Sequence, residues 1–135
     1  MIETTLSPTL LATVLHRVAG TIDRQQAEQG AAEALRLVQQ LSGQHGPLNL
    51  VLDLRGKHFA DLQAHRAWSQ GFGRNPALQS HVRRVAIVGD DTPAFRAEQE
   101  MLQADQVGFF VDVDAAHEWL AHKQIIAAGA PKVRC

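Results

Sequence analysis

The sequence predicts an α/β domain built on a mostly parallel sheet of four to five strands. Three observations point there. Short apolar runs at Leu48–Leu54, Arg84–Val88 and Val107–Val111 have the near-continuous Val/Ile/Leu content of strands covered by helices. Each is followed by a segment that carries capping residues and helical spacing. The links are short, so the order β-β-α-β-α-β-α-β-α implies layered packing with right-handed crossovers. A length of 135 residues fits one domain over 1–135. A chain of this size buries about two-thirds of its unfolded surface and needs no metal or disulfide staple.

The elements follow in order. Ile2–Leu6 reads as a short edge strand, and Leu10–Ala19 as its hairpin partner across Ser7-Pro8-Thr9. In the second strand, Val14, His16 and Val18 share one face, while Leu11, Thr13, Leu15 and Arg17 share the other. Both faces are mixed, which suits an edge or next-to-edge place. Gly20-Thr21-Ile22 ends this strand. Asp23 and Gln26 then have the spacing of a capping box. A helix follows to about Leu41, with Ala27, Ala31, Ala34, Leu35, Val38 and Leu41 inward, stopped by Gly43 and Gly46-Pro47.

Leu48–Leu54 is the central strand, followed by a helix marked by Phe59, Leu62, Ala67 and Phe72 and broken at Gly71-Phe72-Gly73. Asn75-Pro76 opens one more helical turn. After Arg84–Val88, Asp91 or Thr92 caps a helix with Pro93 just inside it and Ala94, Ala97, Met101 and Leu102 on its inner face. Asp112 or Asp114 caps the last helix, which bears Ala115, Trp119 and Leu120; residues 127–135 read as a loosely ordered tail. The predicted core includes Val51, Leu52, Leu54, Val85, Ile87 and Val107.

Composition removes several function classes. Thirteen basic residues against 14 acidic ones give a net charge of -1, so no field draws the chain to nucleic acid or an anionic membrane. No apolar run approaches the ~20 residues that span a bilayer, and no stable membrane insertion is expected. The single cysteine, Cys135, makes no internal disulfide and reads as an exposed thiol, which together with the absent secretory pattern points to the cytoplasm. Seven histidines (16, 45, 58, 65, 81, 117 and 122) lack ligand spacing and read as solvent-facing. No metal and no cofactor is expected: GxSxG, GxGxxG, the P-loop, HExxH and CxxC are all absent.

The turn after the central strand stands out. Arg55, Gly56, Lys57 and His58 lie ahead of Asp61, near the start of a helix whose free N–H groups favour anions. Trp68 and Phe72, four residues apart on that helix, are candidates for a hydrophobic binding or dimer surface.

Two stretches, Gly20-Thr21-Ile22-Asp23 before an Ala/Leu-rich helix and Val51-Leu52-Asp53-Leu54-Arg55-Gly56-Lys57-His58-Phe59-Ala60-Asp61, resemble STAS domains, the domains of anti-sigma-factor antagonists and sulfate-transporter tails. Arg84–Asp90 and Asp114–Leu120 are similar to the SpoIIAA-like branch, also described as STAS/SEC14-like. The resemblance covers about Leu10 to His122. It implies a β-α superhelix with helices mainly on one face, and a small non-enzymatic regulatory or binding domain. In the phosphoswitch members of that family a serine follows the aspartate at the start of the second helix; here Leu62 and Gln63 follow Asp61, and the phosphoacceptor is missing.

The expected function is thus a regulatory or binding module without catalysis, with its site at Arg55, Gly56, Lys57, His58, Asp61, Trp68 and Phe72. It would engage a protein partner or a small ligand and form a homodimer through the Trp68–Phe72 helix. One alternative is a SEC14-like carrier or sensor of a small hydrophobic or anionic ligand, with Trp68 and Phe72 as pocket wall. The other is an enzyme using His58 and Asp61.

Overall fold

The computed structural model describes the backbone of residues 1–134 and the side chains of residues 1–124. The main sheet has five strands, β1 (Ile2–Leu6), β2 (Thr13–Val18), β4 (Leu48–Asp53), β6 (Val82–Val88) and β7 (Val107–Phe110), in that spatial order. β1 pairs antiparallel with β2, as the hairpin reading expects, and every other pairing in the sheet is parallel. Between them run α1 (Arg24–His45), α2 (Leu62–Trp68), a π turn (Ser69–Gly73), α3 (Pro76–Gln79), α4 (Pro93–Leu102) and α5 (Val113–Arg134).

Side-chain alternation along the strands builds two cores. On one face Val14, Val18, Leu50 and Leu52 meet Ala27, Ala31, Ala34 and Val38 of α1, with Ala64 and Trp68 of α2. On the other, Val51, Ala86 and Val88 meet Ala116 and Leu120 of α5. α4 leans on β7 through Phe95, whose ring lies 5.8 Å from that of Phe109. Most helices therefore share one face, as expected.

Several local expectations need correction. The second strand starts at Thr13 because Ala12 turns the chain with a φ of 52°. α1 continues through Gly43 to His45, and Gly46, with a φ of 77°, ends it by donating its N–H to the Ser42 carbonyl. Gly20-Thr21-Ile22 does not merely end a strand. It forms β3 (Gly20–Ile22), which pairs in parallel with β5 (Lys57–Phe59) as a separate two-stranded ribbon. Phe59 thus belongs to a strand, and α2 begins only at Leu62. Gly71-Phe72-Gly73 does not break that helix but carries it into the π turn, where Gly71 lies too close to the Ala31 methyl for any side chain. Ala94, Ala97, Met101 and Leu102 are exposed, not inward, and Leu54, Val85, Ile87 and Val107 are only half-buried. α4 turns Phe95 and Gln99 to β7, covering Phe109, while Val85, Ile87 and Val107 line an open cleft beside Leu78 of α3. Residues 127–134, expected as a loosely ordered tail, continue the backbone of α5, and the thiol of Cys135 lies outside the described residues.

Candidate functional site

The candidate site is built where β2 and β4 leave the main sheet together. Gly20 and Gly56 make this departure possible. Both have positive φ, 74° and 71°, a region costly for residues with a Cβ. The Gly20 N–H donates to the Gly56 carbonyl at 3.0 Å, and the Ala60 N–H to the Ile22 carbonyl at 2.8 Å. The β3–β5 ribbon is thereby fixed beside the carboxyl ends of the parallel strands, where ligands of open α/β sheets bind.

The turn is locked by carboxylates. Arg55 donates to Asp53 in a fork, Nε to Oδ1 at 2.9 Å and Nη2 to Oδ2 at 3.0 Å. Burial alone would raise the Asp53 carboxyl, but the hydrogen bonds from Arg55 and the charges of Arg55 and Arg17 hold it below the usual carboxylate value. The Gly56 N–H donates to Asp90 Oδ2 at 2.9 Å. Asp61 is the N-cap of α2 and accepts from the Ala64 N–H at 2.8 Å. The start of α2 is thus served by the protein's own carboxylate, and Arg55 is held by Asp53 rather than by Asp61 or Asp90. Lys57 and His58 remain, both exposed on β5. Leu62, just past the cap, is 61% exposed, unusual for a leucine at the head of a packed helix.

Trp68 and Phe72 lie beneath this surface and not on it. Phe72 is fully buried and Trp68 is 7% exposed. They enclose His16, which is fully buried instead of solvent-facing. The Trp68 Nε1–H donates to His16 Nε2 at 2.9 Å, and His16 Nδ1 lies 2.8 Å from Thr4 Oγ1. The Phe72 ring stands 4.4 Å from the imidazole, and Phe59 of β5 packs on Trp68 at 5.9 Å. Trp68 and Phe72 are therefore neither pocket wall nor dimer surface; they are the floor that positions β5. Burial pushes His16 down to about 4. His16 was missed as a core residue because a single histidine between two valines reads equally well as an edge-strand surface residue. The inward alternation with Val14 and Val18 was the available signal.

An enzyme built on His58 and Asp61 finds little support, since the Asp61 carboxylate already serves the helix as its cap. No described helix is long and apolar enough to cross a membrane.

A family profile described as SpoIIAA-like matches residues 14–121. No curated protein sequence matches the chain. Solved structures share the fold at low identity. The Bacillus cell-fate determinant SpoIIAA in its phosphorylated form is 16% identical with a TM-score of 0.54, over 87% of this chain and 98% of that one. An uncharacterized protein of the DUF3478 family from Shewanella loihica PV-4, with a SpoIIAA-like fold, is 21% identical with a TM-score of 0.57, over 89% of this chain and 92% of that one. The anti-sigma factor antagonist SpoIIAA in its unphosphorylated form is 14% identical with a TM-score of 0.58, over 90% of this chain and 98% of that one.

Proposed function

Because this chain belongs to the SpoIIAA-like family, we propose that it acts as a non-catalytic protein-binding module. Its docking face consists of the exposed side of β5 and the head of α2. The observation that carries this reading is that Lys57, His58 and Leu62 are all exposed on one short segment whose turn is pinned by the Gly20–Gly56 and Gly56–Asp90 hydrogen bonds. An exposed apolar side chain on the same short segment as an exposed lysine suits a protein partner that offers a small hydrophobic pocket and a carboxylate. Arg55 and Asp61 serve this face by holding its shape.

A phosphate switch within the segment itself finds no hydroxyl, although the exposed Thr21 of β3 pairs with His58. Between Arg55 and Trp68 there is no Ser, Thr or Tyr, and Ser69 lies in the half-buried π turn. Control then rests on occupancy by the partner. The carrier reading loses its proposed wall, because Trp68 and Phe72 are core.

The test is a quantitative comparison of proteins retained from host extract by the wild-type chain, by Leu62→Asp and by Lys57→Glu. The reading expects at least one protein held by the wild type and lost from both variants, each of which melts as the wild type does. Equal retention by all three would remove the face from consideration.

A further inference from the structure

α4 carries apolar side chains on the side that meets β7 and on the side that does not. Phe95 and Gln99 face the sheet edge, where the Gln99 Nε2–H donates to the Phe109 carbonyl at 2.8 Å. The apolar stripe of Ala94, Ala97 and Met101 lies on the side facing away, with Met101 80% exposed, whereas Leu102 follows Phe95 and Gln99 on the sheet-facing side at the helix end. On the α1 side of the sheet lies a cleft of about 520 Å³ over β4, β6 and β7, walled by Leu50, Leu52, Val82, Val85, Ile87 and Val107. Its α3-side wall includes Leu78, and among the described residues lining it Arg83 is the only charged one. A protomer thus carries an unpartnered apolar ridge and an unfilled apolar cleft, both flanking β7.

We propose that a second copy of this chain covers this face, with α4 of each protomer seated in the cleft of the other. A two-fold axis beside β7 achieves this, because an isologous contact requires ridge and cleft on one self-complementary patch. Charge fits the same pairing. The stripe is flanked by Glu98 and Glu100, both exposed, whereas the cleft holds no carboxylate and offers Arg83. The arrangement buries the most exposed large apolar side chain among the described residues, Met101, against the half-buried row Val85, Ile87 and Val107. This surface is separate from the β5–α2 face and stands independently of it. It also replaces the dimer expected through Trp68 and Phe72, which the core already holds.

Sedimentation equilibrium of the full chain, from micromolar to submillimolar concentration, tests the pairing. The expected result is a mass approaching twice the protomer. Met101→Glu should weaken association by about tenfold or more without changing the melting temperature of the dilute protomer, since Met101 is exposed there. Arg83→Glu should weaken it, and adding Glu98→Lys to that variant should restore part of the loss. A protomer mass throughout, or a dimer indifferent to Met101→Glu, overturns the proposal. So does a monomer in which methyl NMR places Met101 against Ile87, because α4 would then cover its own sheet. A small apolar molecule retained in native mass spectra of a monomeric chain overturns it as well.

Discussion

Acidification should destabilise this protein through one residue. Trp68 Nε1–H can only donate, so His16 Nε2 accepts from it, and the ring proton sits on Nδ1 towards Thr4 Oγ1. A second proton would set two N–H donors against each other inside a site with no solvent contact. His16 is accordingly neutral when folded, with its pKa lowered from 6.5 to about 4 by burial. Above 6.5 neither state binds the proton and stability is flat. As pH falls from 6.5 towards 4 the unfolded chain is protonated and the folded chain is not, so stability declines by about 1.4 kcal/mol per unit. Over the whole window this amounts to about 3 kcal/mol, a large part of the ~5–15 kcal/mol that holds a domain. Asp53 falls outside this window. Its lowered pKa places its loss below the ordinary carboxylate range. Urea unfolding followed by tryptophan fluorescence at pH 8, 7, 6, 5 and 4.5 measures the slope. His16→Gln keeps an acceptor for Trp68 and removes the titration, so its slope between 6.5 and 4.5 should be shallower by about 1.4 kcal/mol per unit. Equal slopes in the two proteins would refute the argument.

Three further outcomes follow from the geometry. Gly56→Ala should cost about 1–2 kcal/mol, all of it backbone strain, because no atom lies within 4 Å of an added Cβ; a melting temperature equal to wild type would show that the turn relaxes. Val51→Asp places an unpaired charge at a position 1% exposed and should abolish cooperative melting; a soluble, cooperatively folded variant would contradict the β4 assignment. Arg55→Ala frees Asp53 from its fork and should cost about 1 kcal/mol, with the Asp53 carboxyl titrating higher by NMR; an unchanged Asp53 titration would show that Arg17 and solvent suffice.

The strands and their caps were legible because they are local signals. Asp23 with Gln26, Asn75-Pro76, Asp91 or Thr92, and Asp112 or Asp114 mark helix starts in the sequence, and apolar runs mark the strands. The β3–β5 ribbon was not legible. Lys57-His58-Phe59 is too short and too polar to read as a strand, and its partner Gly20–Ile22 lies far away in the chain. The inward-looking reading of α4 failed for a different reason. Periodicity puts Ala94, Ala97 and Met101 on one side and Phe95, Gln99 and Leu102 on another, but it cannot say which side meets the sheet. Trp68 and Phe72 were correctly grouped and wrongly placed: the side chain they pack around, His16, lies 52 residues before Trp68. The exposure of Leu62 likewise depends on where α2 begins, which the cap at Asp61 fixes only once Phe59 is known to be in a strand.

The central claim is that the β5–α2 face docks a protein. A photo-crosslinking amino acid placed at Leu62 in the living host tests it most directly. The account predicts a discrete heavier adduct, identifiable by mass spectrometry, that weakens when Lys57→Glu is added and is absent when the crosslinker sits at Glu33 on the exposed side of α1. No adduct at Leu62, or the same adducts at Leu62 and Glu33, would contradict it.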